Sequence, residues 1–369
     1  MDILRNLLYD LIQDTYVAAM LEVNCLSLYN WRERCIIGNI YSALVFEGLI
    51  ATFDSRWFKR DVLPMIKANG AARLRFCVSR TFRYIAIMAV SPPVVLTVAG
   101  FDPSSGAGAT ADIKTIAAHG CYGVSCITAL TVQSTAGVRR VEPVDPDLIT
   151  QTLDELASDV EIAAVHIGML GGVKVVRAVA EFLAKSKLAN VVLDPILKSS
   201  SGADLLDPAG ARLLQEKLIP LATVLTPNVD EAAVLTGLAV SNPDQMRAAA
   251  LKLHERGAAA VVITGGHLDK AIDLLSFTSK NGVEQEVFKS VRLRSNSTHG
   301  TGCAFATSVA CHLALGRGLP EAVLLAKAYV AAAISKAHPL GHGTGPVHHL
   351  YRMNQQRRTP ASGDPEPIP

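Results

Sequence analysis

The run Thr298-His299-Gly300-Thr301-Gly302-Cys303 sets two glycines among small polar residues, directly before the apolar stretch Ala304 to Leu315. If that stretch is a helix, the first backbone N–H groups are unpaired and the helix dipole adds positive potential, which together make an anion hole. Gly300 and Gly302 allow close backbone approach, and Thr298 and Thr301 belong to the same cradle. Cys303 falls in the first turn and feels the same field. Its thiolate is therefore expected to be favoured and its pKa lowered. A lone cysteine is ordinarily a buried packing residue; the glycines ahead of this one make it a candidate for a reacting centre.

Further candidates stand at other apolar-run ends. Gly100-Phe101-Asp102-Pro103-Ser104-Ser105-Gly106-Ala107-Gly108 is a small-residue loop that lets backbone approach a ligand, but it matches neither G-x-x-x-x-G-K-[ST] nor G-x-G-x-x-G. Thr226-Pro227-Asn228-Val229-Asp230-Glu231 reads as a helix start, which capping alone explains. Its functional alternative is that Asn228 and Glu231, with Asp194 of Leu193-Asp194-Pro195, hold hydrated Mg²⁺ against phosphates as hard oxygen ligands do. Thr264-Gly265-Gly266-His267 ends another apolar run and could line a nucleotide, or be a plain turn. His338, His342, His348 and His349 lie in a Gly/Pro stretch without supporting thiols or carboxylates, so no metal cluster is expected there.

These motifs need a scaffold that gathers them. From Val94 onward short β-branched runs alternate with helical periodicity: VVLTVA, GVSCITAL, AAVHIGML, NVVLDPIL, ATVLTP and AAVVITGG, with helices expected between them. Two Ala-rich helices follow at about 303–315 and 320–336. Strands apolar on both faces, each followed by a helix, imply a doubly wound α/β fold with a mainly parallel sheet covered on both sides. Ligands in such sheets bind beyond the carboxyl ends of the strands, where every motif above falls.

The chain of 369 residues is half hydrophobic and long enough for one large or two smaller domains. The first 87 residues hold both tryptophans, 12 of the 20 aromatics and 11 Lys plus Arg against 8 Asp plus Glu. The remainder carries 24 against 25, so no electrostatic footprint for nucleic acid exists in the main body. The composition shift divides the chain near Met88. Residues 1–87 are then either an extension of one to three helices or sequence upstream of a start at Met88, with the main domain over 88–355 and a disordered tail over 356–369. Seven cysteines, none at C-x-x-C spacing, suit a reduced cytoplasmic compartment. No signal peptide is seen, and no apolar stretch of about 18 residues that would span a membrane.

Taken in order, G-F-D-P-S-S-G-A-G, A-D-I-K-T (111–115), I-T-A-L-T-V-Q (127–133), H-I-G-M-L (166–170), V-L-D-P (192–195), T-P-N-x-x-E (226–231), G-G-H (265–267), H-G-T-G-C (299–303) and G-P-V-H-H (345–349) resemble the hydroxymethylpyrimidine/phosphomethylpyrimidine kinases of the ribokinase superfamily. The resemblance runs from about Val94 to Tyr351. It implies an ATP- and Mg²⁺-dependent, cytoplasmic, homodimeric enzyme of the thiamine pathway. Gln133 then reads the pyrimidine, with Asp112 contacting it, Met169 packing on the ring, and Gly100 and Thr131 bordering the pocket. Cys303, with Gly300 and Gly302, occupies the reacting centre; Thr298, Thr301, Asn228, Thr264 and Gly266 face the nucleotide; Asp194 and Glu231 face the metal. Where some relatives carry Lys, this chain has Thr264, and Lys198 is the candidate to replace that charge. Competing readings are pyridoxal kinase, a catalytically silent pyrimidine-binding regulator and, from the first glycine loop alone, a dinucleotide oxidoreductase.

Overall fold

The computed structural model describes residues 91–199, 202–266, 271–280, 282–290, 293 and 295–353. The expected extension over 1–87, the expected tail over 356–369 and His267 lie outside those residues. Nine strands form one sheet in the order β3-β2-β1-β4-β5-β6-β7-β8-β9. They are β1 (Val94–Phe101), β2 (Tyr122–Ser134), β3 (Gly137–Pro143), β4 (Ile162–Ile167), β5 (Val191–Leu193), β6 (Val224–Leu225), β7 (Ala260–Gly265), β8 (Ala271–Ser279) and β9 (Gly282–Ser290). From β2 through β7 all neighbours are parallel, while β3 at one edge and β8–β9 at the other run antiparallel. The expected doubly wound, mainly parallel sheet is present.

Helices cover both faces. On one side lie α2 (Pro146–Asp159), α3 (Val173–Ser186), α4 (Pro208–Leu213), α5 (Val229–Thr236) and α6 (Pro243–Glu255), packed through Leu153, Val176, Leu235 and Leu253 against Leu96, Val165 and Leu225. On the other lie α1 (Gly108–Ala118), α7 (Thr301–Ala314) and α8 (Leu319–Ser335), packed through Ile116, Ala306, Val309 and Tyr329 against Val95, Ala164 and Val262. Successive strand residues thus face opposite cores, which is why the strands read as unbroken apolar runs. Among the described residues no helix is long and apolar enough to cross a membrane.

Strands β5 and β6 are shorter than the apolar runs that encode them, because Pro195 and Pro227 have no N–H to give a ladder. Strand β3 has no counterpart in the sequence reading: its polar, Arg-containing run lies on the sheet edge and is exposed at several positions. Together β2 and β3 form a hairpin whose last residues overhang the carboxyl end of β1. Strand order also reverses at β1, flanked by β2 and β4, so the crevice of this sheet opens beside β1.

Between α1, α7 and α8 sits a set of buried and half-buried bases. Burial holds His119, His312 and His349 down at about 4. Both ring nitrogens of His312 lack a hydrogen-bond partner. For a base whose folded pKa is depressed, the unfolded chain binds the extra proton, so stability is full above about 6.5 and falls as pH drops towards 4. We expect urea unfolding to show uptake of up to about three such protons across that window. His312→Leu should lower the uptake by about one, since no hydrogen bond is lost with it; an unchanged pH slope would show that His312 is already charged in the fold.

Candidate active site

Loops after β1, β4, β5, β6 and β7 and the segment before α7 meet at one end of the sheet. Helix α7 begins at Gly300, which has φ +80 and offers no side-chain cap. That left-handed backbone suits glycine, and a Cβ there would lie 1.8 Å from the Gly106 carbonyl oxygen. Two glycine segments distant in sequence are therefore packed backbone against backbone. Within the loop after β1 the backbone is as close, since a Cβ on Gly108 at the start of α1 would lie 2.3 Å from the Gly100 carbonyl oxygen. Helix α1 also lacks a side-chain cap, so two helix starts with unclaimed N–H groups converge. The uncapped helix start expected before Cys303 is present, with a second helix start beside it.

Cys303 lies between those helix starts, buried, and accepts a hydrogen bond from the Gly108 N–H. Its ionisation differs from the sequence expectation. Burial pushes the thiol well above its ordinary range, and the nearby carboxylates of Asp112, Asp194 and Glu231 push the same way. The helix field and the Gly108 N–H oppose this, but three acids and removal from water outweigh them. Cys303 therefore rests as a neutral thiol.

Asp112 is corrected as well. It was expected to touch the pyrimidine, but it is fully buried beneath the cleft wall. Thr97 donates to its Oδ2 at 2.7 Å, Thr307 donates to its Oδ1 at 2.8 Å, and His166 Nδ1 lies 3.2 Å from Oδ2. Its turn of α1 faces inward, and the charge is balanced there by hydroxyls and a histidine. The network braces α1, β1, β4 and α7, and is part of the field felt by Cys303.

Asp194, at the end of β5, is buried, and burial together with Glu231 and Asp112 raises its carboxyl well above the usual range. It faces the start of α7: a Cβ on Gly302 would stand 3.7 Å from its Oδ2. Glu231 is pushed up to about 7 by burial, opposed by the N–H groups of Asn228 and Leu197. Asn228 caps α5 reciprocally with Glu231, through contacts of 2.9 Å each way. Capping thus occupies the Asn228 side-chain oxygen and one Glu231 oxygen, while the Asp194 carboxylate accepts no hydrogen bond among the described residues. Asn228 is nevertheless beside Thr264, through the bridge between them and the Thr264 N–H to Pro227 oxygen contact of 2.9 Å.

Met169 and Gly100 are brought together: the Met169 sulfur would be 3.1 Å from a Cβ on Gly100. Thr131 donates to the Phe101 carbonyl oxygen at 2.9 Å and its hydroxyl lies 3.2 Å from the Gln133 amide. Thr298, Gly302 and Gly266 are exposed at the mouth, with Thr301 half-buried behind them. Lys198 is not drawn in. Its side chain is exposed and pairs with exposed Asp204 at 3.6 Å, a contact of little strength in water.

Several residues emerge only from the fold. Asp102 is buried at the end of β1 and accepts from Ser104 N, Ser104 Oγ and Ala107 N at 2.7 to 2.9 Å. His299 Nε2 meets it at 2.8 Å. Lys114 donates to the Ser105 carbonyl oxygen at 2.8 Å and fastens the same loop. Lys327 of α8 pairs with Asp273 of β8, which also accepts from the Gly265 N–H and so fixes the end of β7.

The sequence profile of the family described as phosphomethylpyrimidine kinase matches residues 102–348, which begin directly after β1 and include every site residue named above except Thr97, Gly100 and Phe101. The chain belongs to that family. It is 41% identical over 267 residues to the hydroxymethylpyrimidine/phosphomethylpyrimidine kinase of Streptomyces coelicolor, covering 72% of this chain and 97% of that one. It is 43% identical over 265 residues to the thiamine biosynthesis bifunctional protein ThiED of Geobacter sulfurreducens, covering 71% of this chain and about half, 53%, of that one. Among solved structures it resembles an ADP complex of Bacillus subtilis pyridoxal kinase, with a TM-score of 0.65 and 36% identity over 72% of this chain and 100% of that one. The chain is thus a phosphotransferase of ribokinase-like fold, as its motif order implied.

Proposed function

We propose that the protein transfers the γ-phosphoryl group of ATP to the hydroxyl of 4-amino-5-hydroxymethyl-2-methylpyrimidine, and a second to the monophosphate, for thiamine diphosphate synthesis. The observation that carries this reading is Cys303 between two uncapped helix starts, with Met169 packed on Gly100 at the end of β1 and Gln133 held against Thr131 and His299. Gln133 supplies a donor and an acceptor to the ring edge, and Met169 with Gly100 supplies an apolar surface for its face. The hydroxymethyl group then points towards Cys303. As a neutral thiol, Cys303 holds that hydroxyl in line for attack rather than waiting as a ready base. The unclaimed N–H groups of Gly302 and Cys303 stabilise negative charge on the moving phosphoryl oxygens.

The buried acids fit a hard divalent cation such as Mg²⁺. Asp194 offers free carboxylate oxygens, and Glu231 its remaining lone pairs. Among the described residues no three His, Cys, Asp or Glu side chains converge as a full ligand set, so phosphate and water would complete the shell. When bound, the ion offsets phosphate charge. Thr298, Thr301, Thr264, Gly266 and Asn228 border the same mouth and are assigned to the nucleotide.

We further assign the kinase to residues 88–355, acting as a cytoplasmic homodimer. A coupled ATP assay with the alcohol, its monophosphate and pyridoxal as separate substrates tests the function. A kcat/KM for pyridoxal tenfold above that for the alcohol would select the pyridoxal kinase reading. Equal activity of a chain starting at Met88 would confirm the domain assignment. Gln133→Ala is expected to raise KM for the alcohol by about 10- to 100-fold with a smaller change in kcat, since it removes ground-state recognition of the ring. An unchanged KM would remove Gln133 from the pocket.

A further inference from the structure

The contacts around Gln133 decide which way its amide faces. Ionised Asp102 offers only acceptors, and burial, which would raise its carboxyl, is outweighed by donors from His299, Ser104 and Ala107 that hold it below the usual range. The His299 Nε2 that meets it at 2.8 Å must therefore carry the proton. That same Nε2 lies 3.3 Å from one arm of the Gln133 amide, and the Thr131 hydroxyl lies 3.2 Å from the other.

Hydrogen-bond accounting leaves one orientation. With the amide nitrogen on the His299 side and the oxygen on the Thr131 side, donor faces donor at the first contact. At the second, the Thr131 hydroxyl would need another proton besides the one given to the Phe101 carbonyl oxygen at 2.9 Å. A half turn of the amide resolves both conflicts. Its oxygen then takes the longer branch of a three-centre bond whose single His299 Nε2–H is given chiefly to Asp102, and its nitrogen donates to the Thr131 oxygen. The His299 ring cannot easily turn away. A Cβ on Gly106 would lie 2.3 Å from its Cδ2, and its backbone is tied on both sides, by its N–H to the Gly345 oxygen and by the Val347 N–H to its own oxygen.

We infer that the Asp102–His299 pair, with Thr131, locks the Gln133 amide in one orientation and so makes the site select an aminopyrimidine over its 4-oxo isostere. His299 is a positioning residue in this scheme; it acts through Gln133. The inference rests on the proposed pyrimidine pocket and deepens it. An aminopyrimidine edge pairs an exocyclic donor with a ring-nitrogen acceptor, whereas the 4-oxo ring presents an acceptor beside an N–H donor. A freely turning amide serves both edges. A locked one serves only the edge whose order matches, because turning it sets the amide N–H groups against the His299 Nε2–H and asks the Thr131 hydroxyl for a second proton.

The test measures kcat/KM for the 4-amino alcohol and the 4-oxo alcohol in wild type, His299→Phe and His299→Gln. Wild type should prefer the amino compound by about 100-fold or more, as sites built on directed hydrogen bonds do. His299→Phe keeps a ring but loses the N–H, and its preference should fall about tenfold or more, with His299→Gln recovering part of it. A preference in His299→Phe within about twofold of wild type, even with both activities lowered, would overturn the lock. Nitrogen-15 NMR of the wild-type protein reads the lock without any variant or activity: a proton-bearing His299 Nε2 supports it, and an unprotonated Nε2 overturns it. If wild type phosphorylates neither alcohol, the pyrimidine reading and the selectivity fall together, while the NMR result still decides the His299–Gln133 contact.

Discussion

Cys303→Ala should lower kcat by about 100-fold or more while leaving pyrimidine affinity within a few fold of wild type. The sulfur sits between two helix starts, in contact with the Gly108 N–H, whereas Gln133, proposed to read the ring, is held by Thr131 and His299. Removing it takes away the group that aligns the hydroxyl but none of the groups that hold the substrate. The neutral resting thiol gives a second expectation. Cys303→Ser should keep activity within about tenfold, because a hydroxyl can orient the substrate as a thiol does. Were Ser as inactive as Ala, a thiolate would be needed at the reacting step and the orienting role would be wrong. Steady-state kinetics with isothermal titration of the alcohol separates the two quantities.

Gly300→Ala is the second large effect. A methyl group here meets the Gly106 carbonyl oxygen at a distance no real contact tolerates, and the residue must also hold φ +80. The backbone conflict cannot be relieved by a side-chain rotation, since the obstacle is another loop's carbonyl. We expect destabilisation of about 2 kcal/mol or more, seen as a lower urea midpoint with an unchanged slope. In whatever fraction stays folded, the glycine segment must shift, so kcat should fall by about 100-fold as the N–H groups lose their aim. By contrast, Gly266→Ala adds a methyl into open space and should leave stability near wild type. Comparable losses at both positions would show that the packing at Gly300 is not the cause.

The motifs of this chain were legible because each is local. A glycine pair before an apolar run predicts an uncapped helix start at Gly300, an Asn-x-x-Glu spacing predicts the reciprocal cap at Asn228 and Glu231, and β-branched runs separated by helical periods predict a parallel sheet. Even the shortness of β5 and β6 was implicit in Pro195 and Pro227. Motif order along the chain was enough to indicate the family, since order and spacing survive without knowledge of contacts.

What the sequence could not decide is what lies beside what, and ionisation depends on that. Cys303 looked like a favoured thiolate because only the helix after it is visible in sequence. The fold adds Asp112, Asp194 and Glu231 from other elements and takes the thiol out of water, which reverses the sign. Asp112 looked like a pocket residue from its motif, yet α1 turns it inward to Thr97, Thr307 and His166. Asp102 and His299, 197 positions apart, become one contact only when the loop after β1 packs on the start of α7. Residue types and local spacing thus determined which chemistry was available to this protein, because backbone propensity acts over a few residues. Which protons those residues hold, and which way Gln133 faces, was decided by tertiary structure, because desolvation and hydrogen bonding act through space.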